Sequence, residues 1–130
     1  MAMIYAVNPA SQVLAAGDTI SFGGVARREG SVYSVDGGSI TVRRKPGLHD
    51  ISANFTVLAG GTGIGTITLY KDGVMIPGAK TSFTAANAST YSISIADVVT
   101  RMSCCGEGVI SAVLTGIPGT VSNATMTVRA

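Results

Sequence analysis

Ile51-Ser52-Ala53-Asn54-Phe55-Thr56-Val57 places an apolar side chain at every odd position and a small polar one at every even position. A strand turns successive side chains to opposite faces, so this heptapeptide reads as a strand with one face in a core and the other outside it. The same period of two runs on to either side. Ile40 and Val42 alternate with Thr41 and Arg43, and Ile67 and Leu69 with Thr66, Thr68 and Tyr70. Later, Tyr91, Ile93 and Ile95 alternate with Ser92 and Ser94, Val109 to Thr115 is rich in apolar and β-branched residues, and Val121 to Val128 spaces Val and Met among Thr and Asn. One segment competes as a helix. Over Ser94 to Met102, Ile95, Val98 and Val99 are helically spaced and Ala96-Asp97 interrupts the alternation.

Between these runs stand the residues that turns require. Asp36-Gly37-Gly38 and Lys71-Asp72-Gly73 offer positive backbone φ, and Pro46-Gly47, Pro77-Gly78 and Pro118-Gly119 supply a fixed φ followed by a permissive residue. The pattern predicts an all-β chain, and 130 residues are enough for one domain with its own core. Residues 31–130 form the expected core sandwich. In residues 1–30, Met3 to Val7 and Thr19 to Phe22 read as short strands broken by Pro9, Gly17, Gly23, Gly24 and Gly30, which predicts edge strands or an irregular lead-in.

Charged residues make up 12% of the chain, about half the usual share, while 46% of residues are hydrophobic. Mean hydropathy is correspondingly high, at +0.43. Ser, Thr and Gly cover part of the surface, and contact with other subunits hides the rest, because a surface poor in charge otherwise aggregates. Val98-Val99, Val109-Ile110 and Ala112-Val113-Leu114 put apolar side chains on both faces of their strands, as packing against copies of the chain requires. The alternative is that residues 1–30 lie over the outer side. The residues expected in the core and the subunit interface are Tyr91, Ile93, Ile95, Val98, Val99, Cys104, Cys105, Val109, Ile110, Val113 and Leu114.

Few residues suggest chemistry. Cys104 and Cys105 are adjacent, so they cannot staple distant segments; on a strand they face apart and pack as small hydrophobes, with a vicinal disulfide or a three-fold metal cluster as the alternatives. With His49 as the single imidazole and no CxxC spacing, a zinc site within one chain is not expected. The absence of GxSxG, HExxH and a spaced carboxylate pair predicts a protein that is not an enzyme and needs no cofactor. His49 and Asp50, as neighbours on a strand, face apart and cannot form an oriented pair. Gly60-Gly61-Thr62-Gly63-Ile64-Gly65 does not fit a phosphate loop, since a strand and not a helix follows it. Triplets beginning at Asn54, Asn87 and Asn123 match the glycosylation pattern and are read as chance.

Basic residues gather at Arg27-Arg28 and at Arg43-Arg44-Lys45; the second group is a candidate contact for an anion or glycan, although such clusters usually solvate a strand end. A net charge of +2 without a concentrated basic face argues against a nucleic-acid partner. No apolar stretch reaches membrane-spanning length, and Met1 to Ala16 lacks the basic leader and apolar core of a signal peptide, so the protein is expected to be made and kept in the cytoplasm, or assembled there into something larger.

Gly30-Ser-Val-Tyr33-Ser-Val35, Ile40-Thr-Val42, Pro46-Gly-Leu-His49, Ile51 to Val57 and, most tellingly, Leu69-Tyr-Lys-Asp-Gly-Val-Met-Ile-Pro-Gly78 follow one another in an order that resembles the trimeric jelly rolls of the C1q and tumour-necrosis-factor type, in their bacterial and bacteriophage branch. The resemblance spans about Gly30 to Arg129. It departs at His49, where the family usually has an aromatic residue, often Tyr, and in the lack of a collagen-like stalk. It implies a two-sheet antiparallel jelly-roll sandwich of about eight strands that acts as a homotrimer. The role implied is that of a structural protein on a phage or prophage virion surface, such as a head fibre, capsid decoration or tail-associated module, in contact with other virion proteins. The alternative it implies is a module that binds a host surface glycan or protein through loops such as Lys71 to Lys80 and Thr84 to Ser89.

Overall fold

A computed structural model of the chain describes residues 2–43, 46–102 and 107–130, the side chain of residue 97 excepted. Two antiparallel sheets of six strands face each other. The first runs in the order β10 (Thr90–Met102), β7 (Gly47–Ala59), β12 (Gly119–Arg129), β1 (Met3–Asn8), β4 (Gly24–Glu29), and β2 (Gln12–Leu14) also pairs with β12. The second runs β5 (Tyr33–Asp36), β6 (Ser39–Arg43), β11 (Glu107–Thr115), β8 (Gly63–Lys71), β9 (Val74–Ala85), with β3 (Thr19–Ile20) on β11. This is the expected two-sheet jelly roll. It has twelve strands among the described residues where about eight were expected, because the lead-in contributes four short ones of its own.

The alternation that began the sequence reading sets the core. Along β7 the odd positions His49, Ile51, Ala53, Phe55, Val57 and Ala59 are buried. Ile40, Val42, Ile67, Leu69, Ile110 and Leu114 meet them from the second sheet, each fully or almost fully buried. Each such aliphatic side chain contributes about 1.5–3 kcal/mol by leaving water.

Ser94 to Met102 is strand, not helix. Ile95 stands opposite Ala53 and Val98 opposite Ile51, so Ala96 and Asp97 together face the single Ser52 in a β-bulge. The extra residue flips the parity: Ile93 and Ile95 point inward before it, Val98 and Met102 after it. A bulge in an alternating strand brings apolar residues three apart, and that spacing imitates a helix.

The lead-in is also more regular than its glycines suggest. β1 lies inside the first sheet, paired with β12 on one side and β4 on the other, and not at an edge. What short strands lack in ladder bonds is supplied by side chains. The Gln12 amide both donates to the Ser21 carbonyl (3.0 Å) and accepts from the Ser21 amide (2.8 Å), and Asn8 donates to the same carbonyl (2.9 Å). Residues 2–30 therefore widen both sheets in their own planes and cover neither outer face.

The stretch Leu69 to Gly78 forms a hairpin with two special features. Asp72 adopts φ 52°, tolerable for Asp, and ties the turn to β11 twice: its amide donates to the Val109 carbonyl (2.8 Å) and its carboxylate accepts from the Val109 amide (2.9 Å). Beyond the turn, Thr68 pairs with Lys80 and Tyr70 with Met75, so Ile76 to Ala79 bulge out opposite Leu69. Ile76 and Ala79 are buried by this detour, which closes the flank between the sheets.

That flank is stitched as well. Lys71 Nζ donates to the Arg101 carbonyl (2.7 Å) and Thr81 Oγ1 to the Ser94 carbonyl (3.2 Å), so side chains of the second sheet occupy acceptors on the edge strand of the first. At the end where β1 begins and β12 finishes, the Ala130 amide donates to the Ala2 carbonyl (3.1 Å).

Candidate subunit interface

On the outer surface of the first sheet β7 presents Leu48, Asp50, Ser52, Asn54, Thr56 and Leu58, the even positions of its alternation. Ser92, Ser94 and Val99 flank them from β10, Thr125 and Thr127 from β12. The middle of this surface is a carpet of hydroxyl and amide groups, pinned where Ser94 Oγ donates to Asn54 Oδ1 (2.7 Å). Leu48 (61% exposed) and Val99 (53%) are apolar neighbours at one end of it. Leu48 pairs with Arg101 and Asp50 with Val99, so the two lie diagonally across adjacent strands. Around the corner, Lys71, Val74, Met75, Ile76, Pro77 and Thr100 line a shallow hollow of about 160 Å³ between β9 and β10.

The residues singled out in the sequence divide between the two sides of their strands. Ile93, Ile95, Val98, Ile110 and Leu114 belong to the core. Tyr91 is half-buried against the Phe83 ring (centroids 5.2 Å apart), and its hydroxyl accepts from the Ala86 amide (2.8 Å). Val99 and Val109 are exposed on the outer surfaces, and Val113 is half-buried. Cys104, Cys105, Arg44 and Lys45 lie outside the described residues. Arg43 is exposed at the end of β6, 3.9 Å from Asp36 Oδ2. The Asp36 carboxyl is held below the usual carboxylate range by the Ser34 hydroxyl, then by Thr41 and Arg43. An exposed pair of this kind adds little to stability.

Sequence reasoning missed Leu48, Val74 and Met75. For Leu48 a signal existed: the alternation of Ile51 to Val57, extended backward, assigns Leu48 to the outer face. The outer faces are also less apolar than the valine pairs suggested, since Ser, Thr and Asn fill most positions between the exposed valines.

His49 is fully buried and faces the second sheet, where Tyr33 Oη lies 2.5 Å from its Nδ1 and the two rings meet edge to face at 85°. Burial pushes the Tyr33 phenol up to about 12. Asp50 turns to the outer side, with Oδ2 3.7 Å from Arg129 Nε, so the adjacent His and Asp serve different surfaces. Among the described residues no three His, Cys, Asp or Glu side chains stand close enough to hold a metal ion, and no helix is long and apolar enough to cross a membrane.

Two stacked antiparallel sheets with this strand order define a jelly roll of the C1q and tumour-necrosis-factor type. The chain is similar in structure to the globular domain of the zebrafish complement 1qA protein (TM-score 0.74, 9% identity, covering 99% of this chain and 96% of that one). It is similar to murine APRIL at pH 5.0 (TM-score 0.75, 12% identity, 99% and 98% covered) and to the PRD1 vertex protein P5 (TM-score 0.59, 16% identity, 98% and 93% covered). No protein-family model and no curated protein sequence matches the chain. The likeness is one of fold.

Proposed function

We propose that this protein is a non-enzymatic structural module of a bacteriophage or prophage virion, a head fibre, capsid decoration or tail-associated protein, that works as a homotrimer. It is made and assembled in the bacterial cytoplasm and ends on the particle surface, in contact with other virion proteins. The observation that carries the reading is the pairing of an outer sheet face whose centre is uncharged with an exposed apolar flank. Leu48, Val99, Val74 and Met75 stand in water in the single chain, 49–69% exposed, beside a face whose centre offers only hydroxyls and amides. When the flank of one subunit rests on the face of the next, the contact is head to tail, and it closes into a ring after three copies. The resemblance carried by Leu69 to Gly78 and the fold shared with a vertex protein support the virion setting.

Sedimentation equilibrium at micromolar concentration is the direct test, with a mass of three chains expected. A stable monomer removes the reading. Antibody labelling of intact particles then tests the setting: purified virions are decorated if the protein is a surface component and bare if it is not.

A further inference from the structure

The Asp50 carboxylate is incompletely partnered. It stands on the outer face of the first sheet, in one row with Val99 of β10 and Arg129 of β12, and Leu48 is its neighbour along the same face of β7. Arg129 Nε approaches only Oδ2, at 3.7 Å, too far for a hydrogen bond. Oδ1 is buried and has no hydrogen-bond partner among the described residues. A buried acceptor without a donor is costly, and native folds rarely keep one.

The β9 side of the flank carries the complement. Lys71 is the single charged residue among the six that line the hollow between β9 and β10. It pairs directly with Val74, and Met75 follows, so this cation stands beside two exposed apolar side chains as Asp50 stands beside Leu48 and Val99. Its Nζ donates to the Arg101 carbonyl (2.7 Å), which holds the ammonium at the rim of the sandwich. An ammonium has three donors, so two are left for other acceptors. Lys71 reaches β10 from the second sheet, whereas Asp50 faces away from that sheet, so the two do not meet within one copy. Lys80 is placed elsewhere: it pairs with Thr68, which stands opposite Val113 on the outer face of the second sheet.

We propose that Asp50 of one copy and Lys71 of the next form an ion pair across the side-by-side contact, Lys71 supplying the donor that Oδ1 lacks. Arg129 stays on Oδ2, so the carboxylate is shared between a cation of its own copy and one of the next. This inference rests on the trimer reading above and adds to it the pair that fixes the register. Contact of Leu48 and Val99 with Val74 and Met75 is non-directional, and a charge-assisted hydrogen bond is not. In a closed head-to-tail ring each copy gives one carboxylate and one ammonium, and none is left over.

The test is sedimentation equilibrium of the full chain and its charge variants, with circular dichroism reading the fold. The wild type is expected at three times 13.1 kDa. Asp50→Lys and Lys71→Glu each bring like charges together and are expected to weaken association at least about thirtyfold, while the chain carrying both recovers to within about threefold of the wild type. Mixed in equal amounts, the two single variants associate with each other, because each offers the charge the other needs. Asp50→Asn keeps the size and removes the charge, so it is expected to weaken association about tenfold at a near-native thermal midpoint, whether or not the reversals fold. The pair is overturned if the wild type is three chains and Asp50→Asn associates as tightly, or if the folded double variant recovers nothing. Either result leaves the trimer standing; a wild type of one chain removes both.

Discussion

The Tyr33 hydroxyl and Nδ1 of His49 meet across the two sheets, one residue from the edge strand β5 and the other from β7, and both are fully buried. Removing the hydroxyl leaves a buried ring nitrogen without that partner, so Tyr33→Phe is expected to lower stability by about 1–3 kcal/mol in urea unfolding at neutral pH. The phenol also ties stability to alkaline pH. Between about pH 10 and 12 the unfolded chain releases this proton while the folded chain keeps it, so stability falls as pH rises through that window and is intact below it. The loss from this group is about 1–2 kcal/mol, and Tyr33→Phe should flatten that part of the profile.

Asp72 separates two requirements of one turn. Asp72→Ala loses both the carboxylate that accepts from Val109 and the tolerance for positive φ, and should cost about 1–2 kcal/mol. Asp72→Asn keeps an oxygen acceptor and the backbone preference, and should lie within about 0.5 kcal/mol of the wild type. Equal losses in the two variants, by thermal or urea unfolding, would show that the bond to β11 contributes nothing.

Ala88 carries φ 66° in the exposed turn before β10. An alanine is strained there and a glycine is not, so Ala88→Gly is expected to stabilise by up to about 1 kcal/mol, raising the thermal midpoint by about 3–5 °C. An unchanged or lower midpoint contradicts this.

Gly116 is the opposite case. Its φ is +88°, and an added Cβ would lie 2.1 Å from the Ile64 carbonyl oxygen, which is backbone and cannot swing away. Gly116→Ala should cost about 3 kcal/mol or more, through strain and the forced separation of β8 and β11. Soluble expression with a near-native midpoint would count against this close approach.

Placing charge on the apolar end of the outer face tests association apart from folding. Leu48→Lys with Val99→Lys adds two cations where both side chains are mostly exposed, so the fold should lose less than about 1 kcal/mol. The side-by-side contact should weaken by at least about tenfold, since two charges per subunit would have to be desolvated. Circular dichroism reads the first effect and sedimentation the second.

Much of this architecture is legible in the chain because the alternation of β7 and the turn chemistry at Asp72 are local signals. Ile51 to Val57 announces both its conformation and its buried face, and the Ile-Pro-Gly run marks the place where β9 leaves its ladder. Ala96-Asp97 shows the limit. The break in period is visible, but whether it marks a helix or a bulge depends on Ser52, more than forty positions earlier. The lead-in was harder still, because Gln12 and Ser21 replace missing ladder bonds with side-chain bonds that no propensity records. His49 departs from the usual aromatic residue, and its partner Tyr33 can be found only once the sheets are stacked. The exposed flank was hidden for the same reason: Val74 and Met75 read as ordinary hairpin residues until β10 is seen beside them.

The bond from Ala130 to Ala2 also bears on how the molecule can be rewired. Because the first and last described residues touch, a linker of a few residues could join them without disturbing either sheet, and the chain could be opened afresh within the Gly60 to Gly63 turn at the far end of the sandwich. Such a permutant would keep every ladder while moving the break in the chain to the opposite end of the sandwich.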